Sequence, residues 1–311
     1  MSKDATKPKK GLTPTEAYPA LAEAISGGAN TFSDLYFKRE DMHPYGSHKG
    51  RSIPHMIDKY LASGSRHFVI SSSGNAALAA GLYVNELNAK RTEETLITLE
   101  ILAGKNIRKD KLEKLQSLRN EHVLVSMHER PLQVLFIKTK EAGAVGLRQS
   151  TDDTALEGYE NLAEELSQIP DLAAIFIGTS SGTTAQALAD YFIKNQSASK
   201  NKKSVEINIV QTPTCHPLVT TQDETSEKSI ADAIVDQIAH RKQVLLPLIE
   251  KTGGTGWITT NESLRIAQDL SKKHAGVDIS TNSALSVAGL MNAIYTGKKW
   301  PGSVVCMICG D

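Results

Sequence analysis

Ala173-Ala174-Ile175-Phe176-Ile177-Gly178-Thr179-Ser180-Ser181-Gly182-Thr183-Thr184-Ala185 decides the fold of this 311-residue chain. Five apolar residues bounded by glycine read as a buried strand, and residues 184–195 carry apolar positions at three- and four-residue spacing, as a helix does. Between them lies a loop of small residues only, Gly178 to Thr184. Strand, small-residue loop and helix form a phosphate cradle, because small side chains let backbone N–H groups close around an anion at the helix N-terminus. The loop is neither a Walker A sequence, which needs Gly-Lys-Ser/Thr, nor a G-x-G-x-x-G fingerprint. The plain alternative is a tight turn that binds nothing.

The same rhythm runs outward in both directions. Further strands are predicted at Leu35–Lys38, His67–Ser71, Thr95–Leu102, His122–Val125, Glu206–Thr212 and Ser303–Ile308. Helical spacing covers residues 75–88, 108–119, 131–142, 157–167, 261–274 and 283–295, with Asn261 as an N-cap and Asp110 in a first turn. Alternating strands and helices predict an α/β fold with a mainly parallel sheet flanked by helices. Residues 197–204 read as an exposed loop, residues 213–229 as a long and therefore functional connection, and the first ten or eleven as a solvated tail.

Two more glycine-punctuated turns carry chemistry. In Gly46-Ser47-His48-Lys49-Gly50-Arg51, Lys49 stands where a helix begins. The positive end of the helix dipole and partial desolvation there favour the neutral amine, the form that attacks a carbonyl; the plain alternative is a solvated lysine. Ser71-Ser72-Ser73-Gly74-Asn75 follows the strand Phe68-Val69-Ile70 and opens an alanine-rich helix. Hydroxyls and free N–H groups in such a place suit a carboxylate or phosphate, although a serine or asparagine helix cap uses the same residues.

Composition narrows the class of partner. Lys and Arg together number 35, as do Asp and Glu, so no global field gathers nucleic acid, and a small molecule is the expected ligand. Cys215, Cys306 and Cys309 are too few for a disulfide framework, which fits a reducing compartment such as the cytoplasm. No stretch reaches the roughly 18 apolar residues of a membrane span, so no membrane partner is expected. Cys306 and Cys309 have C-x-x-C spacing, yet on a strand they point to opposite faces and cannot share a metal. His43 and His48 lie outside any H-E-x-x-H pattern. The basic stretch 105–119 lacks the aromatics a nucleic-acid site interleaves and reads as a solvated face.

In this order and at these distances, the three turns resemble those of the fold-type II pyridoxal-phosphate enzymes, the tryptophan synthase β-like family that includes threonine synthase, cysteine synthase and the serine/threonine dehydratases. The likeness extends to Thr13-Pro14, to Leu35 through Asp41, to Glu157-Gly158-Tyr159-Glu160-Asn161 and to Val210-Gln211 with Cys215-His216-Pro217-Leu218. Thr281-Asn282-Ser283-Ala284 and Val304 through Gly310 complete it, so that it spans about residues 12–310. The resemblance implies two open, twisted, mainly parallel sheets like those of the tryptophan synthase β subunit, with pyridoxal 5'-phosphate in the cleft. A larger domain of residues 1–50 and 148–311 would be covered by a smaller mobile one, 51–147, in a homodimer.

By matching position, the resemblance makes Lys49 the Schiff-base lysine and proton shuttle. Asn75 would bind the cofactor's phenolic oxygen, and Ser71, Ser72, Ser73, Gly74 and Asn75 the carboxylate of an amino-acid substrate. Gly178, Thr179, Ser180, Ser181, Gly182, Thr183 and Thr184 would hold the cofactor phosphate, and Cys309 would take the place of a Ser or Thr beside the pyridine nitrogen. The implied reaction is β- or γ-elimination or replacement, nearest to threonine synthase, with cysteine synthase and serine/threonine dehydratase as alternatives. A non-catalytic relative that kept the fold is the reading from another class. Three departures stand out: His48 and Gly50 flank the lysine where relatives show Ser-Phe-Lys-Asp-Arg, and Cys309 is a weak donor. His48 is a candidate second proton carrier, its ordinary titration range lying near neutrality. The chain stops at Asp311, just after the final strand, so no C-terminal cover over the site is expected.

Overall fold

Apolar runs broken by short polar turns build ten strands and eleven α-helices among the described residues of the computed structural model, which are 12–197, 204–220 and 227–311. The expected tail, most of the loop 197–204 and part of the connection 213–229 lie outside them. In chain order the elements are β1 (Thr15–Ala17), α1 (Pro19–Ser26), β2 (Leu35–Arg39), α2 (Lys49–Ala62), β3 (His67–Ser71), α3 (Asn75–Asn88) and β4 (Thr98–Gly104). There follow α4 (Lys109–Gln116), β5 (Val123–His128), α5 (Pro131–Glu141), β6 (Val145–Gly146), α6 (Thr154–Glu157), α7 (Glu160–Ser167) and β7 (Leu172–Gly178). The last are α8 (Thr183–Ser197), β8 (Glu206–Gln211), α9 (Lys242–Thr252), β9 (Gly256–Ile258), α10 (Asn261–Leu270), α11 (Thr281–Tyr295) and β10 (Ser303–Ile308).

Two sheets result. One has the order β1-β2-β10-β7-β8-β9 and the other β5-β4-β3-β6; every pairing is parallel except that of β1. The first sheet joins the two ends of the chain, with Val304 to Ile308 in register with Leu35 to Arg39. β10 is buried along its whole length, as a central parallel strand must be when helices cover both faces. Its side chains alternate between two cores: Val304, Cys306 and Ile308 pack with α11, while Val305, Met307 and Cys309 pack with α7 and α8. The two thiols therefore diverge, as the strand period requires. A third core joins α2 and α3 to the smaller sheet.

Several boundaries differ from expectation for local reasons. The strand predicted from Thr95 begins at Thr98, because the Asn88 carboxamide bonds both backbone groups of Ile97 and takes the place of a neighbouring strand there. The predicted helix 157–167 is broken at Gly158, whose missing Cβ would lie 2.6 Å from Ser52 Cα. The helix predicted to run to 274 ends at Leu270 and passes into a π-turn, Ser271–Ala275. Helices α2 and α9 contain Pro54 and Pro247, which a periodicity reading takes as breaks.

Candidate functional site

Parallel pairing sends β2, β10, β7 and β8 into the same edge of the larger sheet, the edge where open α/β folds bind ligands. Lys49 begins α2 just after β2, Cys309 follows β10, and Gly178 ends β7. Backbone bonds draw the first two together: Ser47 bridges Gly310, and His48 N–H donates to Cys309 O at 3.2 Å. β3 brings the Ser71–Asn75 turn to the same place, because Leu78 in the first turn of α3 packs at Gly46, 3.1 Å from where its Cβ would stand.

The phosphate-type loop is folded largely by its own hydroxyls. Thr179 Oγ1 accepts from Gly182 N–H at 3.0 Å, Ser181 and Thr183 hydroxyls pair at 3.0 Å, and Thr183 Oγ1 donates to Gln149 O at 3.1 Å. Ser180 Oγ accepts from both Val235 and Asp236 N–H, each at 3.0 Å, so its lone pairs hold a neighbouring loop. Gly182 has φ +86°, and a Cβ there would stand 2.4 Å from Leu245 Cδ2, which makes glycine obligatory. The first intrahelical bond of α8 comes from Gln186 N–H to Gly182 O, leaving the N–H groups of Thr183, Thr184 and Ala185 without an intrahelical acceptor.

At the second turn the cap alternative fails. Gly74, not a serine or asparagine, precedes α3, and no side chain caps it. Ser72 and Ser73 hydroxyls accept from Gly74 and Gly104 N–H. Beside them the wall is α4: Ser73, Gly74 and Asn75 share a narrow cavity of about 30 Å³ with Lys111, Lys114 and Asp311. A wider groove of about 540 Å³ lies at Leu218, Val219 and Gly253 to Gly256 and contains none of the predicted site residues.

Lys49 Nζ, the hydroxyls of Ser71 and Thr184 and the carboxamide of Asn75 make no hydrogen bond or ion pair to the described residues and are open to a ligand or to water, unlike the sealed and unpartnered Thr31, Asn208, Thr259 and Ser271. An amine-reactive aldehyde, a phosphate and a carboxylate would satisfy this set, and that donor chemistry fits pyridoxal phosphate with an amino acid.

The departures around Lys49 have structural explanations. Gly50 is required because the His43 ring occupies its side-chain space: a Cβ would lie 2.3 Å from His43 Nδ1. His48 Nδ1 lies 3.1 Å from Cys309 O, and a carbonyl only accepts, so Nδ1 carries the proton. Burial, reinforced by the Lys49 charge, lowers the His48 pKa to about 3, so the ring is a neutral wall stacked on Tyr159 at neutral pH. Burial and the charge of Glu40 push the Cys309 thiol up to about 12.

Sequence reading missed the supports of this site. Arg51 forks onto Glu40 at 2.7 and 2.7 Å and reaches Glu165 at 2.7 Å. Lys38, fully buried, donates to Glu165 at 2.5 Å and to Thr13 O at 2.6 Å. Arg241, also buried, binds the carbonyls of Gln149 and Asp152 and so ties the chain leaving β6 to the phosphate-type loop, which meets the same Gln149 O. Only the sequence proximity of Glu40 and Arg51 to Lys49 hinted at these roles.

A family model for pyridoxal-phosphate dependent enzymes matches residues 7–310. This chain belongs to that family. Threonine synthase of Mycobacterium tuberculosis is 26% identical over 308 residues, covering 96% of this chain and 82% of the relative. Human L-serine dehydratase/L-threonine deaminase is 27% identical over 164 residues, covering 50% and 46%. Among solved structures, a pyridoxal 5'-phosphate-dependent aspartate racemase superposes with a TM-score of 0.77 at 20% identity, covering 96% of this chain and 90% of that one. The fold is thus that of the fold-type II enzymes, and the family's cofactor is pyridoxal phosphate.

Proposed function

We propose that Lys49 holds pyridoxal phosphate covalently and that the enzyme eliminates or replaces a group at the β- or γ-carbon of an amino acid. The observation that carries the reading is the set of partnerless polar groups, Lys49, Ser71, Asn75 and Thr184, gathered at the strand ends with the free N–H groups of α8. When bound, the cofactor supplies an electron sink that makes the α-proton of an amino acid removable.

This chain's residues supply the rest. Lys49 Nζ would accept the α-proton and return it, Asn75 would help hold the cofactor ring, and the first turn of α3 with Ser71 would take the substrate carboxylate. Thr183, Thr184 and Ala185 N–H groups bind the phosphate, while Thr179, Ser180 and Ser181 shape the loop around it. Cys309 follows β10 at the same sheet edge, and its neutral thiol would give a cofactor ring held there only a weak hydrogen bond, which suits eliminations with good leaving groups. Neutral His48 is a poor proton carrier near pH 7, so Lys49 carries that work alone.

Among such reactions, the threonine synthase type on O-phosphohomoserine is the first choice. Ser-Ser-Gly-Asn, the segment Glu157–Asn161 and a match over 82% of the Mycobacterium tuberculosis relative support it. Purified protein should absorb in the visible, borohydride should bleach it with the cofactor left on Lys49, and Lys49→Ala should abolish both. A colourless protein indifferent to pyridoxal phosphate would sink the reading in favour of a non-catalytic relative. Turnover is then compared on O-phosphohomoserine, O-acetylserine with sulfide, serine and threonine. Reaction only with the last three would move the assignment to a cysteine synthase or dehydratase.

A further inference from the structure

The cavity in front of Ser73, Gly74 and Asn75, about 30 Å³, is walled on its other side by Lys111, Lys114 and Leu115 of α4, so the seating of α4 sets the room there. Besides the burial of Leu115 and a longer Lys114–Asp311 pair at 3.8 Å, α4 is tied across the cleft by one carboxylate on the other sheet's side. Asp232 takes Lys111 Nζ at 2.9 Å on each oxygen and Arg108 at 3.0 Å. Burial alone would raise the Asp232 carboxyl; the hydrogen bond from Asn282 and the Lys111 ammonium outweigh it and hold it below the usual carboxylate range, an anion at neutral pH.

Asp232 is itself fixed from the phosphate-type loop. Its segment hangs from Ser180 Oγ through Val235 and Asp236 N–H, and from Asn282 Oδ1 through Ala233 N–H at 2.9 Å. A continuous path therefore runs from Ser180 through Asp232 to Lys111, and Lys111 lines the cavity in front of Asn75.

We propose that Asp232 is the positioning residue that latches α4 over the substrate pocket, with Ser180 transmitting the state of the phosphate loop to that latch. The pocket is complete only with Lys111 and Arg108 seated on Asp232, and substrate enters when the pair parts. The inference rests on the reading that the first turn of α3 receives the substrate carboxylate, but its test does not.

Amide hydrogen exchange on the pyridoxal-phosphate-loaded protein reads the opening of α4 directly. In Asp232→Asn, residues 105–118 should exchange roughly fivefold faster, as for loss of a partly screened ion pair, with α10 unchanged. Lys111→Met, which leaves Arg108 on Asp232, should speed exchange in the same residues by less, the double variant should not exceed Asp232→Asn, and Asp232→Glu should restore slow exchange. Ser180→Ala should speed exchange in 229–237 and in α4 together. Unchanged α4 exchange in Asp232→Asn overturns the latch, and so does faster exchange spread evenly over the chain, which marks a merely structural role. Unchanged α4 exchange in Ser180→Ala overturns the relay. Failure of the cofactor assignment would show separately, as absent visible absorbance, with the exchange of α4 still readable.

Discussion

Gly50 and His43 form a steric pair beside Lys49. Adding a Cβ at residue 50 puts it 2.3 Å from a ring that is itself buried against Tyr45, so Gly50→Ala should cost about 1–3 kcal/mol by overpacking. His43→Ala in the same chain should recover part of that loss, read from urea denaturation midpoints; no recovery would place the strain at Tyr45 Cβ, 2.8 Å from the same point. His48 gives a pH signature. Its folded pKa of about 3 lies below the ordinary 6.5, so between those values the unfolded chain binds the extra proton. Its contribution is therefore whole above about pH 6.5, shrinks as pH falls and levels off below about 3. His48→Gln should flatten the acid limb of stability between pH 7 and 4; an identical limb would place the titration elsewhere.

At the scale of elements, the start of α10 shows how a cap and its neighbour divide their work. Thr260 is the N-cap, its Oγ1 accepting Ser263 N–H at 3.2 Å, while Asn261 turns inward to bind Ile230 N–H and Lys228 O. Thr260→Ala should cost about 1 kcal/mol. Asn261→Ala should cost about 1–3 kcal/mol, because it removes two hydrogen bonds from a buried carboxamide to the backbone of Ile230 and Lys228, and it alone should speed exchange in 228–232. Equal effects of the two changes, with no local loosening, would refute the division. Periodicity placed this helix correctly and missed the cap by one residue, since Thr and Asn are both good caps and only the tertiary partner at 228–230 decides between them. Strands near the site were legible because parallel strands buried on both faces are nearly continuous apolar runs, β10 above all. β1, β6 and β9, of two or three residues each, carry too little pattern to be read. The glycine turns stood out for the same reason that they matter: few residue types tolerate such close backbone approach.

At the scale of the molecule, what escaped the sequence is charge arranged over long separations. Glu165 on α7 reads as one more acid on a solvated face, and its partner Arg51 is 114 residues away. Together with Glu40, Lys38 and Thr13 they join β2, α2 and α7 beneath Lys49, and Arg51 lies in the same first turn of α2 as the lysine. Such a buried network gains little over apolar packing, yet removing one member leaves an uncompensated charge. Arg51→Met, which abandons the fully buried Glu40, should cost about 3–5 kcal/mol and weaken cofactor retention by releasing the start of α2. Glu165→Gln, at a more exposed site, should cost less. Burial raises the Glu165 carboxyl, but Arg51 and Lys38 outweigh it and bring its pKa below the ordinary 4.5. Its contribution is accordingly present above that value and lost as acid protonates the native carboxylate. Urea midpoints for the wild type and Glu165→Gln should therefore converge as the pH falls well below 4.5; a gap that persists throughout the acid range would mean that Glu165 acts through its shape and not through its charge.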